Sequence, residues 1–295
     1  MDQTPGCGNP ASPSTESAAR RAVPRRAVRT ILMANPRPVR LIPANAGEPW
    51  NIPIRQRRNP FPVHTRDASL REHCDGPGAD PRVVRDTLLS LARLNAGPLR
   101  THALAAAILR PVLRRGGALR VLDLGCGAGD LGRALVREGA RLGGLVESLG
   151  IDLSPEAVAL ARSLGTPGDG ASFEIGDALG TGPDPVEFDL VVSSFLLHHL
   201  PDDAAVGEAL RRSARARAGF LHLDLVRSRA AWLLFGALGR PLVRRRETFE
   251  DGLASIRRSW TVPEMAAIAA AAAPGACVEV RFPWRLRVSR LSSGT

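Results

Sequence analysis

The chain of 295 residues has no lysine and no tyrosine, and it contains only four cysteines. Cys7, Cys74, Cys126 and Cys277 are scattered, with no CxxC pair and no zinc-finger spacing. This pattern argues against a disulfide framework and predicts no metal site. No apolar run reaches the roughly 18 residues of a membrane span, and no apolar signal segment follows the first arginines. We therefore expect a cytoplasmic protein without a transmembrane segment.

Positive charge is concentrated at one end of the chain. All forty basic residues are arginine, which we attribute to a GC-rich coding bias, and the formal net charge is +11. Residues 1–66 hold eleven arginines against Asp2, Glu16 and Glu48, so only three of the eleven net charges belong to residues 67–295. A basic, nucleic-acid-binding domain is therefore disfavoured.

Residues 1–66 are rich in proline, arginine and serine and lack apolar periodicity. Such a composition cannot bury enough apolar surface to offset the entropy of ordering, so we predict a disordered tail. Two alternatives stay open for this stretch: a start codon assigned too early, and an organelle transit peptide. The domain proper is expected at 67–295.

Helical and strand patterns alternate from about residue 82. Two helices are predicted at about 82–115, and five strands follow within a core at about 117–226. An insertion at about 227–260 precedes one more helix, which Thr261 and Glu264 open as a capping box. The last two strands, "ACVEVRF" and "RLRVSRL", are predicted to form an antiparallel hairpin. This alternation predicts a three-layer α/β domain.

A glycine-rich turn follows the first strand, in "VLDLGCGAGDLGRAL". A dinucleotide site would need its third glycine at position 130, where the chain has Asp130, and a carboxylate at a helix start repels phosphate. With Asp123, the loop carries two acids and no base. It therefore favours a cationic ligand without phosphate, and S-adenosylmethionine fits that description.

The ends of the next two strands carry further acids. Asp152 follows the second strand, where a carboxylate can accept both ribose hydroxyls, and Asp177 follows the third, where it can bind the adenine amine. The alternative is that both residues only cap the following turns. Acids at three successive strand ends favour the cofactor interpretation, because ligands bind beyond the carboxyl ends of parallel strands.

These motifs resemble the class I S-adenosylmethionine-dependent methyltransferases. "VLDLGCGAGD", "GIDLSPEAVALAR", "FEIGDAL" and "FDLVVSSFLLHHLPDD" match four of their motifs. Other segments, such as "LARLNAGPLRTHAL", are similar to a bacterial subgroup associated with type III polyketide and phenolic-lipid pathways. The resemblance implies a Rossmann-like α/β sandwich with a seven-stranded, mostly parallel sheet, one antiparallel strand, and N-terminal helices as a lid. The residues assigned to the cofactor are Asp123, Gly125, Cys126, Gly127, Gly129, Asp130, Asp152, Leu153, Asp177, Ala178 and Ser193.

The acceptor side is marked by two adjacent histidines after the fourth strand. His198 or His199 is predicted to accept a proton, with His198 favoured as the nearer to the strand end; packing is the alternative for both. Packing is favoured for His222. Asp224 and Arg227 are predicted to orient an acceptor hydroxyl.

The predicted function is methyl transfer to a small phenolic, quinone-like or polyketide-derived acceptor. The chain lacks the Asn/Asp-Pro-Pro-aromatic run of base-amine methyltransferases, and no cysteine nucleophile stands at this strand end, so a nucleic-acid acceptor is disfavoured. Two rivals remain: an RNA methyltransferase that uses the basic tail, and a protein that binds the cofactor without turnover. No oligomeric state is predicted.

Overall fold

A computed structural model gives the structure of the protein. It describes residues 63–292, apart from 74, 76–78, 115–116, 167, 181, 244 and 283. The predicted tail at 1–66, with its two alternatives, therefore lies outside the described residues except for 63–66. In the described part of the chain, no helix combines the length and the apolarity that a membrane crossing would require.

One sheet organises the domain. Its seven strands are β1 Ala118–Leu124, β2 Leu145–Asp152, β3 Ala171–Ile175, β4 Leu190–Ser194, β5 Gly219–Leu225, β6 Cys277–Arg281 and β7 Arg285–Leu291. They lie in the order β3-β2-β1-β4-β5-β7-β6. The first five pair in parallel, and β7 runs antiparallel to both β5 and β6. The predicted sheet, with one antiparallel strand, is confirmed.

Helices cover both faces of this sheet. Those described are α1 Pro81–Ala96, α2 Thr101–Leu113, α3 Asp130–Arg141, α4 Pro155–Ser163, α5 Asp203–Ser213, α6 Arg229–Leu242, α7 Arg246–Arg258 and α8 Val262–Ala272. Side-chain caps fix several starts: the Ser154 hydroxyl accepts from the Ala157 amide at 3.1 Å before α4. The predicted capping box is present at α8, where Glu264 accepts from the Thr261 amide at 2.8 Å.

Alternating side chains of the central strands divide the core into two halves. On one face, Val121 and Val192 pack with apolar residues of α2 and α3, such as Leu109 and Leu135. On the other face the neighbouring strand residues, such as Leu122 and Val191, pack with α5 and α8. This period of two is what a strand buried on both faces requires. It confirms the three-layer arrangement.

The two helices predicted as a lid differ in their surroundings. Helix α2 belongs to a core layer, since Leu109 and Leu113 are fully buried there. Helix α1 reaches the glycine loop: a Cβ atom at Gly127 would lie 3.2 Å from the Leu88 side chain. A covering role over the loop therefore falls to α1 rather than to α2.

Val63 and Arg66 are packed against the domain, in contrast to the predicted boundary at 66. Val63 is buried. The Arg66 guanidinium lies 3.9 Å from the ring centroid of Trp260 and donates to the Leu200 and Pro201 carbonyls at 2.6 and 2.7 Å. The folded part of the chain thus starts before residue 67.

Two predicted boundaries differ from those in the structure: the start of the second strand and the contents of the insertion. Strand β2 begins at Leu145, earlier than the predicted start at Leu149, and this accounts for the long stretch after α3. Helices α6 and α7 make up most of the predicted insertion at 227–260. Helix α6 leaves four leucines exposed, namely Leu233, Leu234, Leu238 and Leu242.

The start of β5 offers a test of the strand register. Gly219 has φ +107°, and a Cβ atom there would lie 1.8 Å from the Arg290 backbone oxygen of β7. Gly219→Ala should therefore lower the free energy of unfolding by about 3 kcal/mol or more, measured by urea denaturation.

Gly236 is the matched control, because it lies within α6 with no atom within 4 Å of a built Cβ. Gly236→Ala should leave stability unchanged or raise it by up to about 1 kcal/mol. Wild-type stability in Gly219→Ala would contradict the pairing of β5 with β7.

Candidate active site

The glycine loop connects β1 to α3 through three residues with left-handed backbone. Gly125, Gly127 and Gly129 have φ values of 63°, 53° and 71°. A Cβ atom at Gly125 would lie 2.8 Å from a Leu196 methyl, and one at Gly129 would lie 2.4 Å from the Phe173 ring. Glycine is required here because both the backbone angles and the close packing exclude a side chain.

Asp152 and Asp177 stand at the carboxyl ends of the strands beside this loop. Asp152 accepts from the Gly127 and Ser154 amides, both at 2.9 Å, and Asp177 accepts from the Leu179 amide at 2.8 Å. Burial raises the pKa of Asp152, and the two amides oppose the rise. Leu153 is 68% exposed next to Asp152. The predicted acids therefore also cap their own turns, so the capping role and the cofactor role are compatible.

The two acids of the loop itself have different surroundings. Asp123 is buried and accepts from the Gly132 amide at 3.2 Å; burial, reinforced by the charge of Asp130, raises its pKa well above the usual range. Asp130 Oδ2 lies 2.6 Å from His102 Nε2 and accepts from the side-chain amide Nδ2 of Asn95 at 3.2 Å.

The loop itself carries no base, as its sequence shows, but Asp130 has a basic partner from another element. His102 lies on α2 and Asn95 on α1, so the Asp130 carboxylate connects the N-terminal helices to the glycine loop. Asp123 has no such basic partner among the described residues.

Three other predicted cofactor residues have enclosed surroundings. Cys126 packs with Val158 and Phe173 in a small apolar cluster, and burial raises the pKa of its thiol. Ala178 packs against the main core. The Ser193 hydroxyl lies 2.8 Å from His222 Nδ1 inside the sheet. Cys126 and Ser193 are buried as whole residues, so their side chains face protein partners.

His198 is enclosed by carboxylates. It is 2% exposed, its Nδ1 lies 2.6 Å from Asp224 Oδ1, and its backbone amide donates to Asp224 Oδ2 at 3.0 Å. Its Nε2 lies 3.5 Å from Glu72. Burial disfavours the charged imidazole, but Asp224 and Glu72 outweigh it and raise the pKa of His198 to about 10. The preference for His198 as the proton acceptor is therefore corrected, because its ring is buried and its raised pKa leaves it protonated at neutral pH.

His199 is the more accessible of the two histidines, with its side chain 30% exposed. Its Nδ1 lies 3.0 Å from Asp75 and its Nε2 lies 3.8 Å from Glu72. Arg258 neutralises part of this negative charge, since its Nη1 lies 2.5 Å from Asp75 and 3.5 Å from Glu72. We call Glu72, Asp75, His198, His199, Asp224 and Arg258 the histidine cluster.

Asp224 and Arg227 do not face an open acceptor rim as predicted. Asp224 is buried and directs both oxygens towards His198. Arg227 is also buried: its Nη2 donates to Glu264 and its backbone amide donates to the Trp260 carbonyl at 3.0 Å. Both side chains form hydrogen bonds with protein partners, so the prediction that they orient an acceptor hydroxyl is corrected.

Sequence reasoning missed an aromatic–cation pair at the end of β4. Phe195 has φ 58°, an uncommon backbone conformation for a bulky residue. The Arg285 guanidinium lies 4.6 Å from its ring centroid. Arg285 is 2% exposed, and burial lowers its pKa to about 10 against the opposing charge of Asp224. Its Nε and Nη2 have no hydrogen-bond partner within the described residues.

Comparison with known proteins agrees with this geometry. Residues 121–217 match the family described as "Methyltransferase domain". This region is a class I S-adenosylmethionine-dependent methyltransferase domain. A ubiquinone biosynthesis O-methyltransferase of Xylella fastidiosa (strain 9a5c) is 34% identical over 119 residues, covering 39% of this chain and 45% of the relative. The corresponding enzyme of Sodalis glossinidius (strain morsitans) is 31% identical over 135 residues, covering 42% of this chain and 49% of the relative. The chain spans about half the length of the curated relatives it matches.

Solved structures share the fold of the methyltransferase domain. The plantazolicin methyltransferase BpumL, in complex with S-adenosylhomocysteine, superposes with a TM-score of 0.51 at 18% identity, covering 68% of this chain and 80% of that chain. Human N-acetylserotonin methyltransferase, in complex with S-adenosylmethionine, gives 0.52 at 15% identity, covering 73% of this chain and 57% of that chain. At these identities the likeness shows the fold.

The residues of the methyltransferase domain fit S-adenosylmethionine. The glycine loop presents backbone without side chains at three positions, and the buried Asp123 carboxyl has no basic partner among the described residues. A cationic ligand would favour the ionised form of this carboxyl, whereas a diphosphate would disfavour it.

The pH dependence of stability tests the packing role of His222. His222 is fully buried between Ser193 and Ser213, whose hydroxyl lies 3.1 Å from Nε2. Burial lowers its pKa to about 4, although Asp224 opposes this. Because the folded value lies below the unfolded value near 6.5, His222 contributes stability above about pH 6.5, and this contribution disappears as the pH falls towards 4. Between these values the wild type should lose on the order of 2–3 kcal/mol more than His222→Asn, measured by urea unfolding.

Ser213→Ala is the control, because it keeps the imidazole and removes one hydrogen bond. Its stability should be lower at every pH, with the wild-type slope retained. Parallel curves for the wild type and His222→Asn would show that His222 does not titrate in this window.

Proposed function

We propose that this protein transfers the methyl group of S-adenosylmethionine to a hydroxyl of a small aromatic acceptor of the phenolic, quinone-like or polyketide-derived class. The observation that carries the proposal is the position of the histidine cluster. Two of its members, His198 and His199, lie in the turn after β4, and Leu196 of the same turn packs on Gly125 of the glycine loop. The matched relatives are named O-methyltransferases, which supports oxygen as the accepting atom.

The cofactor half of the site uses the strand ends described above. Asp152 would accept the ribose hydroxyls with lone pairs not used by the Gly127 and Ser154 amides. Asp177 would accept from the adenine amine, and the exposed side chains of Leu153 and Ile175 offer apolar surface to the ring. When bound, S-adenosylmethionine supplies an electrophilic methyl group on a sulfonium.

The acceptor half must position a hydroxyl and take up its proton. A phenol with a pKa near 10 is mostly protonated at neutral pH, so a nearby base lowers the cost of transfer. We assign proton uptake to His199, the exposed member of the cluster, and we assign its orientation to Asp75. His198 and Asp224 position the loop that carries His199. The buried charge of Arg285 favours an ionised acceptor oxygen.

Two helices are suited to enclose the acceptor. Helix α1 reaches the glycine loop through Leu88, and α6 offers four exposed leucines. Closing such surfaces over an apolar acceptor would exclude water from the reacting oxygen. We propose that α1 and α6 form the acceptor lid.

The ribose assignment predicts a loss of cofactor affinity. Asp152→Ala removes a charged acceptor of two hydroxyl hydrogen bonds, and binding of S-adenosylhomocysteine should weaken by about 1.5–3 kcal/mol in isothermal titration calorimetry. Glu156→Ala is the control, since it removes an exposed acid from the start of α4. Equal affinities of wild type and Asp152→Ala would remove Asp152 from the cofactor site.

The methyl-transfer proposal is tested by turnover. The full chain should convert S-adenosylmethionine to S-adenosylhomocysteine in the presence of a panel of phenols, catechols and hydroquinones, with a methyl ether detected by mass spectrometry. His199→Gln should lower the turnover number by about 10²–10⁴-fold. Part of the rate should return at higher pH, where the acceptor ionises unaided.

His73→Gln should keep wild-type turnover, because His73 is bonded to Asp251 outside the site. Cofactor binding without any methylated phenol would contradict the proposal in favour of a non-catalytic binding protein. Methylation confined to RNA would contradict it in favour of the RNA methyltransferase.

A further inference from the structure

The imidazoles of His198 and His199 converge on one carboxylate. His198 Nε2 lies 3.5 Å from Glu72 Oε1, and His199 Nε2 lies 3.8 Å from Glu72 Oε2. One ligand atom from each of the three residues lies within 4.8 Å of the other two. Ligand atoms bound at about 2.1 Å to a single metal ion are separated by about 3–4 Å. Small side-chain movements would therefore bring these three atoms to coordination distance.

The opposite ring nitrogens already have the partners that metal-binding histidines use. Nδ1 of His198 lies 2.6 Å from Asp224, and Nδ1 of His199 lies 3.0 Å from Asp75. A carboxylate on one ring nitrogen fixes the tautomer and directs the lone pair of the other nitrogen to the metal. Here both Nε2 atoms lie next to the Glu72 carboxylate. The Ser255 hydroxyl in turn orients Glu72 by donating to Oε1 at 2.7 Å.

The charges of the histidine cluster also call for a divalent cation. Glu72, Asp75 and Asp224 contribute three negative charges, and Arg258 contributes one positive charge. Metal binding requires neutral imidazoles, so a bound ion displaces the proton that His198 otherwise carries. The cluster then has two uncompensated negative charges, while Glu72, Asp224 and Arg258 are each at most 7% exposed. Buried charge of this size is costly unless a counter-charge is present. One divalent ion would balance it.

We propose that Glu72, His198 and His199 bind one divalent transition-metal ion. Two imidazole nitrogens and one carboxylate oxygen favour Zn²⁺, Fe²⁺, Co²⁺ or Mn²⁺ over Mg²⁺ and Ca²⁺, which prefer oxygen ligands. The 30% exposure of the His199 side chain provides the entry path. Sequence spacing does not indicate this site because Glu72 precedes α1, far from both histidines along the chain.

Metal binding and the proposed proton uptake compete for His199. In the metal-bound protein His199 is a ligand, so the proton uptake assigned to it above belongs to the metal-free cluster. Metal binding is therefore measured directly, without S-adenosylmethionine or acceptor, so that failure of one proposal leaves the other intact.

The test is a titration of the EDTA-treated, dialysed full chain with Co²⁺, followed by its visible absorption bands, and then competition with Zn²⁺. We expect one ion per chain, with micromolar or tighter affinity, displacement by Zn²⁺, and no displacement by equimolar Mg²⁺. Glu72→Gln and His199→Gln should weaken binding at least about 100-fold, and Asp75→Asn by about 10–100-fold.

His73→Gln is the matched control, because it removes a neighbouring histidine that lies outside the ligand set. Thermal unfolding checks that each variant is folded; if the buried Glu72→Gln variant is not, the more exposed His199→Gln carries the test. Absence of Co²⁺ binding, or wild-type affinity in a folded His199→Gln variant, would overturn the proposal.

Discussion

The pairing of His198 with Asp224 is the contact on which the acceptor side of the structure depends. It joins the turn after β4 to the end of β5 through two hydrogen bonds, one from the ring and one from the backbone amide. Both groups are buried, so neither carries its charge at low cost without the other. The same turn carries His199 and packs Leu196 against Gly125 of the glycine loop, so this contact holds both.

Much of the fold follows from local signals in the sequence. The continuous apolar strand before Ser193, the Thr261 capping box and the glycine turn depend on neighbours along the chain, and each is where the pattern predicts it. The place of Asp152 beside the glycine loop is likewise predictable, because the residue stands at a strand end. Residues whose role depends on position within one element are therefore accessible to sequence reasoning.

The contacts that sequence reasoning missed join distant segments. Glu72 and Asp75 precede α1 yet meet histidines that follow β4, and His102 on α2 meets Asp130 of the glycine loop. Nothing in the composition around Glu72 distinguishes it from a solvated surface acid. The misplaced roles of Asp224 and Arg227 have the same origin, since their partners come from other elements and turn both side chains inward.

The histidine cluster also bears on how far the methyltransferase domain can be treated as a portable module. The family match covers residues 121–217, and this stretch holds His198 and His199 but neither Glu72 nor Asp224. A chimera that exchanged only the matched region would separate the histidines from both carboxylates that enclose His198. The structural unit that such an exchange must keep together is thus wider than the cofactor motif: it includes the segment before α1 and the end of β5.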